Sequence, residues 1–173
     1  MILPWRLTTA RLVMTPVAPA DLRELIALKA DPLAFAQMLG GVRSAQQTID
    51  ELAADIQSWG ADGFGIWSVR ARAGEAYLGI TGLMHRADGR GIALRFAFRL
   101  AARGVGLAAE AAMAALTYGH DRIGLAEIIA VAREDNYASR MVLGAVGMAQ
   151  YGAFRRDGVD LLVYKSVRYQ NAG

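Results

Sequence analysis

The chain has 173 residues, enough for one domain with a sizeable buried core. It is 54% hydrophobic and 20% charged, which excludes an intrinsically disordered chain. The net charge of +3 favours anionic ligands, and because no basic stripe is interleaved with aromatic residues we expect no specific nucleic acid as a partner. There is no cysteine, which excludes disulfides, thiolate metal sites and a cysteine nucleophile.

Two further classes of protein are disfavoured by simple counts. The N-terminus lacks the apolar core of a signal peptide, and Glu110, Asp121 and Glu127 interrupt the best apolar runs. The chain has only two histidines, His85 and His120, too few for a histidine-rich metal site. We therefore expect a soluble, cytoplasmic protein that uses no metal and no membrane.

The first third of the chain reads as one strand and two helices. Alternating residues at 7–17 predict a strand, and apolar spacing predicts a helix near 19–30. Ser44 and Gln47 form a capping-box pattern that starts a second helix, and Gly60 is the predicted stop.

The remainder predicts a mixed sheet. Strand patterns at 64–69, 77–84 and 92–98 are separated by turns and favour three antiparallel strands. A helix at 105–120 leads to an apolar strand at 127–132, which we expect to run parallel to 92–98 because a helix joins them. The last predicted elements are a helix from Asn136 to Val146 and strands at 148–154 and 159–169. The expected fold class is α/β (α+β), with about seven strands and four helices.

A glycine loop lies between the strand at 92–98 and the next helix. Gly104 and Gly106 allow a tight turn and a close approach of the backbone to a ligand. The first amides of the helix carry its positive dipole end, and Arg103 adds a full charge. The loop therefore predicts an anion site, suited to a pyrophosphate. Glu110, on the first turn of this helix, is interpreted as a dipole and packing partner.

The spacing Arg103-x-x-Gly106-x-Ala108 resembles the Arg/Gln-x-x-Gly-x-Gly/Ala signature of the GNAT superfamily of N-acetyltransferases. The predicted order of elements is also the GNAT order, over almost the whole chain. Further stretches are similar to the branch that contains ribosomal-protein N-terminal (alanine/serine) acetyltransferases: Leu7-Thr-Thr-Ala-Arg-Leu-Val, Gly63-Phe-Gly-Ile-Trp-Ser-Val, Gly106-Leu-Ala-Ala-Glu-Ala and Asn136-Tyr-Ala-Ser.

The resemblance implies a single GNAT domain over residues 1–173, with the strands at 92–98 and 127–132 splayed apart. Acetyl-CoA would be the cosubstrate and an amine the acceptor, and the protein would be a monomer or homodimer. Coenzyme A would contact the free strand edge at Phe98, Arg99 and Leu100. Its pyrophosphate would lie on the glycine loop and the start of the next helix, at Arg103, Gly104, Val105, Gly106, Leu107 and Ala108. The start of the later helix would contribute Asn136, Ser139 and Arg140.

The catalytic residues that the resemblance implies are incomplete. Leu143 stands where many members place a tyrosine acid, and Ser139 is the tentative partner of the thiolate instead. Arg95 stands near the usual glutamate base, so the base is unknown, with His85 and Glu134 as weak candidates.

The missing base bears on the acceptor. An α-amine has a pKa of about 8 and lysine about 10.4, so a site without an obvious base favours an α-amine or another amine of low pKa. The acceptor cleft is expected near residues 35–43 and 151–156.

Two alternatives stay open. One is an acyl-CoA-binding module with little catalysis, since two common catalytic side chains are replaced. The other is a dinucleotide-binding enzyme, because Gly104-Val-Gly-Leu-Ala-Ala109 fits Gly-x-Gly-x-x-Ala and Glu134 follows a later strand.

Overall fold

The computed structural model describes residues 4–169, in which one sheet carries helices on both faces. The strands are β1 (Leu7–Thr8), β2 (Leu12–Pro16), β3 (Ile66–Ala71), β4 (Tyr77–His85), β5 (Ile92–Phe98), β6 (Glu127–Arg133), β7 (Ala149–Arg156) and β8 (Val159–Val167). The helices are α1 (Leu22–Ala30), α2 (Pro32–Phe35), α3 (Ala45–Asp62), α4 (Leu107–Thr117) and α5 (Tyr137–Ala145).

The sheet has the order β1-β2-β3-β4-β5-β6-β8-β7. All neighbouring strands are antiparallel except β5 and β6, which are parallel because α4 carries the chain back between them. The mixed sheet and its single parallel pair confirm the predicted fold class.

The sheet has eight strands, so the predicted number of about seven is wrong. The stretch predicted as one strand at 7–17 is a short hairpin in which Thr8 pairs with Val13. The Thr9 amide donates to the Leu12 carbonyl at 2.9 Å, and the Leu12 amide donates to the Thr9 hydroxyl at 3.1 Å. The threonine side chain therefore closes the turn that divides β1 from β2.

A fifth helix, α2, lies in the connection between the two predicted N-terminal helices. Asp31 caps it by accepting from the Leu33 amide at 3.0 Å, and Pro32 occupies its first turn. The helix has only four residues, too few to give an apolar periodicity in the sequence.

The capping box of α3 is confirmed, but its predicted end is wrong. The Gln47 amide donates to Ser44 Oγ at 3.1 Å, and the Ser44 amide donates to Gln47 Oε1 at 2.8 Å. The helix passes through Gly60 and ends at Gly63, whose φ of +73° is the left-handed conformation that favours glycine. Among residues 4–169 no helix is long and apolar enough to cross a bilayer.

The two largest apolar cores lie on opposite faces of the sheet. The larger packs α4 and α5 against the strands, with Ala111, Leu116 and Leu143 all buried. The smaller packs α1, α2 and α3 on the other face, around the fully buried Phe35. The sheet therefore separates a side with α4 and α5 from a side with the first three helices.

An aromatic cluster joins the end of α3 to the sheet. The ring centroids of Trp5 and Trp59 are 5.4 Å apart, and those of Trp59 and Trp67 are 4.8 Å apart. Tyr118 packs edge-on against Trp67 at 5.1 Å. Both buried indoles are satisfied, since Trp59 donates to the Ile66 carbonyl and Trp67 to the Trp5 carbonyl.

Candidate active site

The site begins where β5 and β6 separate. Their only register pair is Ala93 with Ile129, whereas β5 keeps pairs with β4 along its whole length from Ile92 to Phe98. A strand whose neighbour diverges leaves backbone donors and acceptors without sheet partners. The splay predicted between these two strands is therefore present.

The backbone edge that faces this gap belongs to Phe96 and Phe98. The Arg99 amide donates to the Leu78 carbonyl at 2.9 Å, on the β4 side, so the prediction that Arg99 belongs to the open edge is wrong. Neighbouring residues of a strand turn their backbone groups to opposite edges, which directs Phe96 and Phe98 to the gap. The Phe98 carbonyl accepts from Arg103 Nε at 3.3 Å.

The glycine loop ends in an uncapped helix. Leu100 starts a single 3-10 turn that ends at Ala102, so it is not part of the strand edge predicted for it. Gly104 and Gly106 have φ of +87° and +81°, and Gly106 is the N-cap of α4 without a side-chain cap. The first amides of α4, beginning with Leu107, have no partner within the helix and point out of its N-terminus. This arrangement is suited to hold a pyrophosphate.

A network from the N-terminal hairpin fixes this loop. Glu110 Oε1 accepts from Thr9 Oγ1 at 2.6 Å and from the Arg11 amide at 2.9 Å, and its Oε2 accepts from Arg11 Nε at 2.7 Å. Arg11 Nη1 also donates to the Val105 carbonyl at 2.8 Å. Although burial alone would raise the pKa of Glu110, these hydrogen bonds hold it below its usual value. These contacts confirm Glu110 as a packing partner.

The N-terminus of α5 lies across the gap. Asn136 is 8% exposed and caps the helix by accepting from the Ser139 amide at 3.2 Å, which confirms its predicted capping role. Asn136, Ser139 and the buried Leu143 line one cavity. Within residues 4–169 the Ser139 hydroxyl has no hydrogen-bond partner, so it can bond a ligand there.

Arg140 is engaged in the fold. Its Nε donates to Tyr164 Oη at 3.2 Å and its Nη1 to the Glu134 carbonyl at 2.8 Å. The contact of Arg140 with the phosphates of coenzyme A stays a prediction.

The cavity has a volume of about 410 Å³ and extends from the gap to the face of the sheet that carries α1, α2 and α3. Its wall on that side includes Met38, Arg43, Asp55 and Arg95, together with Arg156 from β7. Parts of the two predicted acceptor segments, 35–43 and 151–156, therefore do meet. The cavity joins the proposed donor and acceptor sides through the splay.

A half-buried carboxylate, Glu51, is paired with two cations in the wall of the cavity. Glu51 Oε2 lies 2.6 Å from Lys29 Nζ, and Glu51 Oε1 lies 2.6 Å from Arg43 Nε. Lys29 is 2% exposed, and burial lowers the pKa of its amine. Burial opposes charge on Glu51 as well, but hydrogen bonds from Lys29 and Arg43 bring the pKa of Glu51 below its usual value. Both oxygens of Glu51 are thus occupied.

Two further charged groups line the same wall. Burial raises the pKa of Asp55 and lowers that of Arg95, although Asp55 also feels the charges of Lys29 and Arg95. Glu51 and Asp55 are one turn apart on α3. Residues four apart lie on the same face of a helix, so the sequence does show that the two acids are neighbours. Exposed helices often carry acids at the same spacing, so this pattern does not identify a cavity wall.

The two weak base candidates lie elsewhere. His85 is exposed, with its Nε2 3.5 Å from Asp62 Oδ2, and Glu134 is also exposed. Neither lines the cavity. No group of three metal-ligating side chains forms within residues 4–169.

The sheet also distinguishes between the classes of protein that the loop allowed. A dinucleotide-binding enzyme has a mostly parallel sheet, with the glycine loop after its first strand. Here the sheet is mostly antiparallel, and the loop follows the fifth strand. The splayed parallel pair, the glycine loop and the joined cavity define an acyl-CoA-dependent transferase instead.

Comparison with known proteins gives the family. The acetyltransferase (GNAT) domain family matches residues 11–149, so the chain belongs to the GNAT acetyltransferases. It is an acetyl-CoA-dependent acetyltransferase, of a family that transfers acyl groups to amines. No curated protein matches the chain.

Three solved structures show how widely the fold is shared. An acetyltransferase from Agrobacterium tumefaciens has 25% identity and a TM-score of 0.84, with 96% of this chain and 95% of that chain covered. The ribosomal L7/L12 α-N-protein acetyltransferase RimL in complex with coenzyme A has 15% identity and a TM-score of 0.75, covering 92% and 95%. Spermidine N-acetyltransferase SpeG from Vibrio cholerae has 14% identity and a TM-score of 0.73, covering 92% and 95%. Such identities show the fold and leave the acceptor open.

Proposed function

We propose that the protein moves the acetyl group of acetyl-CoA directly to a primary amine, either the N-terminal α-amine of a peptide or protein or a small-molecule amine. The observation that carries this proposal is the single cavity that joins the splay between β5 and β6 to the wall formed by α3. A donor in the splay and an acceptor against that wall would share one cavity, which favours direct attack.

The donor side fits acetyl-CoA in three places. The amides at the start of α4 would hold the pyrophosphate, with Arg103 beside them. The open edge at Phe96 and Phe98 would pair with the amide groups of the pantetheine arm. Ser139 would then lie near the thioester sulfur, since its side chain lines the cavity at the base of the splay.

The transfer needs no covalent enzyme intermediate. The neutral amine attacks the thioester carbonyl, the new C–N bond forms, and collapse of the tetrahedral intermediate breaks the C–S bond. The nitrogen loses one proton, and the coenzyme A thiolate gains one to leave as a thiol. The Ser139 hydroxyl would donate a hydrogen bond to the departing sulfur.

The same reasoning supports an amine of low pKa. Arg95 occupies the expected base position and Leu143 the expected acid position, and a peptide α-amine with a pKa of about 8 needs less help to deprotonate than lysine at about 10.4. A cytoplasmic location and a monomeric or dimeric state remain predictions from the sequence.

Amine-dependent release of coenzyme A tests the function. Purified protein with acetyl-CoA should release coenzyme A with peptides that have a free N-terminus or with small amines, and acetylated product should appear in equal amount. Tight acetyl-CoA binding without amine-dependent release would favour the acyl-CoA-binding alternative. Comparable turnover of lysine side chains and α-amines at neutral pH would contradict the preference for a low pKa.

A further inference from the structure

Building on the proposed function, we propose that the acceptor is a zwitterion, a molecule that carries a carboxylate or similar anion beside the amine to be acetylated. Arg95 would bind the anion and Asp55 would bind the amine as its ammonium. Peptides with an acidic side chain next to their N-terminus have this chemistry together with the α-amine pKa of about 8. Free α-amino acids also have it, but their carboxylate raises the pKa of the amine, so they depend more on a base in the site.

Arg95 is an arginine without an acidic hydrogen-bond partner in the cavity wall. Within residues 4–169 its guanidinium makes one polar contact, from Nη1 to Met84 Sδ at 3.9 Å, and it lies 5.7 Å from the ring centroid of Phe35. A thioether is a weak acceptor, so the guanidinium keeps most of its donor capacity. A planar fork of donors in a partly buried cavity is suited to a carboxylate.

Three other arginines in the wall form ion pairs with carboxylates. Each donates to a carboxylate: Arg43 to Glu51 at 2.6 Å, Arg86 to Asp88 at 2.6 Å and Arg133 to Asp135 at 3.0 Å. Among residues 4–169 Arg95 has no such carboxylate partner. Arg156 also has none within this range, but it is exposed at the end of β7, whereas Arg95 is half-buried.

Asp55 is the acidic side chain of the wall that, like Arg95, has no partner of opposite charge among the described residues. Within residues 4–169 its carboxylate has no hydrogen-bond partner and no ion pair, whereas both oxygens of its helix neighbour Glu51 are used. Its side chain lines the cavity, and Lys29 and Arg95 are positive charges close enough to lower its pKa. An ammonium ion of a ligand would supply the missing partner.

The two groups lie near each other but are not paired. Each feels the charge of the other, yet they form no ion pair among the described residues. Both side chains line the cavity, and no nitrogen of Arg95 lies within 4.0 Å of an oxygen of Asp55. A zwitterion placed there would satisfy both charges.

The total charge of the wall supports an anion on the acceptor. Five arginines and three acidic side chains line the cavity: Arg43, Arg86, Arg95, Arg133, Arg156, Glu51, Asp55 and Asp88. The excess of positive charge disfavours a polycationic amine and favours a molecule whose amine is balanced by an anion.

Asp55 also gives a route for the proton. Burial raises the pKa of its carboxyl, so the carboxylate is a better base than an exposed aspartate. It would accept one proton from the bound ammonium, which leaves the neutral amine free to attack the thioester. The nitrogen loses its second proton after the attack, which balances the proton that the thiolate gains, and Asp55 returns its proton to solvent after the products leave.

The test uses three matched acceptors with the same side chain: leucine, leucinamide and isoamylamine. Two peptide amides, Asp-Ala and Asn-Ala, test whether an acidic side chain supplies the anion instead. Binding to the protein loaded with coenzyme A is measured by ligand-observed NMR, and turnover is measured separately by coenzyme A release. The proposal predicts that leucine, Asp-Ala amide or both bind at least about tenfold more tightly than their amides without the anion.

Two variants separate the roles of the charged groups. Arg95→Met should weaken anionic acceptors about 10- to 100-fold and leave leucinamide unchanged, as expected for one lost charge-assisted hydrogen-bond pair. Arg95→Lys should retain part of the preference. Asp55→Asn should weaken both leucine and leucinamide, since both carry the amine. Arg23→Met, on the exposed face of α1, is the matched control, and coenzyme A affinity reports that each variant is folded.

The outcomes distinguish this inference from the proposed function. The zwitterion would be overturned if amines with and without an anion bound equally well, or if Arg95→Met lowered the affinity of both equally. Either result would leave the acetyltransferase function intact. Arg95-dependent binding of the anionic amines without any turnover would support the zwitterion and contradict the proposed transfer to these amines. If only the peptide shows the preference, the anion comes from an acidic side chain.

Discussion

Ser139 has two parts with different uses. Its amide completes the cap with Asn136, while its hydroxyl has no partner among residues 4–169 and lines the cavity. We expect Ser139→Ala to lower kcat about 10- to 100-fold, with little change in KM for acetyl-CoA. This loss is at or below the lower end of the rate gain from a positioned proton donor, because a serine hydroxyl is a weak acid. Steady-state kinetics measure this, and Tyr137→Phe on the exposed side of α5 is a suitable control. An unchanged kcat would exclude a role of the hydroxyl.

The backbone conformation at position 106 requires a glycine. Its φ is +81°, and a Cβ there would come no closer than 3.5 Å to another atom, at Arg11 Nη2. Replacement by valine should therefore distort the loop through backbone strain of about 1–2 kcal/mol and reduce acetyl-CoA affinity. Calorimetry measures the affinity.

The control for this prediction is Gly158→Val in the turn between β7 and β8. Its φ is +76° and nothing lies within 4 Å of an added Cβ, so the local strain is similar. Its affinity for acetyl-CoA should equal that of the wild type. Equal losses in both variants would assign the effect to general destabilisation.

Asp55 should reduce the stability of the protein. Because burial raises its pKa in the folded state above the unfolded value of 3.8, the carboxyl favours folding below pH 3.8, and this contribution is lost as the pH rises through the folded pKa. At pH 7 the Asp55→Asn variant should therefore have a higher Tm than the wild type, with the difference shrinking toward pH 3. Thermal unfolding at both pH values measures this, and a lower Tm at pH 7 would contradict it.

At the scale of elements, the β1–β2 hairpin acts on a loop that is distant in sequence. Arg11 joins the first turn of α4, through Glu110, to the glycine loop, through Val105. We expect Arg11→Ala to weaken acetyl-CoA binding about 3- to 30-fold, because the loop loses the group that holds its conformation and pays more ordering entropy on binding. Isothermal calorimetry measures the affinity, and a Kd equal to that of the wild type would contradict this role.

The Arg72→Ala variant is the control for Arg11. Arg72 follows β3 and donates to the carbonyl of Thr9 in the β1–β2 hairpin at 2.9 Å, but it makes no hydrogen bond to the glycine loop among residues 4–169. Its acetyl-CoA affinity should be close to that of the wild type. A loss as large as that of Arg11→Ala would mean that the hairpin as a whole, and not the contact with Val105, supports the loop.

Several elements could be predicted because their signals are local. Ser44 and Gln47 form the expected capping box, and Asn136 caps α5, since a cap is decided within four residues of sequence. The sequence predicts the end of α3 too early, at Gly60, because glycine is tolerated inside a long helix and only the left-handed φ of Gly63 marks the end. The hairpin at Thr9 depends on a side chain closing a turn, which alternation does not reveal.

At the scale of the whole molecule, the sequence predicts the donor side much better than the acceptor side. The glycine loop and the start of α4 are contiguous, so their chemistry is visible in a dozen residues. The acceptor wall combines α3, β5 and the segment after α2. Asp55 and Arg95 are 40 positions apart in sequence, and neither has a recognisable motif. Only the packing of α3 over the sheet brings them into one cavity.

Ligand binding should stabilise the whole molecule, because the donor site spans β5, α4 and α5, which belong to one sheet and its core. At 100 times its Kd, acetyl-CoA should add about 2.7 kcal/mol to the free energy of unfolding. For a protein of this size that corresponds to a rise in Tm of about 5–10 °C. A thermal-shift assay measures this, with NAD as the control ligand. A rise with NAD and none with acetyl-CoA would contradict the assigned donor.

The aromatic cluster has a spectroscopic consequence. All three tryptophans of the chain, Trp5, Trp59 and Trp67, pack within one cluster, and none of them lines the cavity. Their intrinsic fluorescence therefore reports on the junction of α3 with the sheet and carries almost no direct signal from the bound acceptor. A change of emission during titration with acetyl-CoA would thus record a rearrangement that travels through the fold, while denaturation would be read directly by the same three indoles.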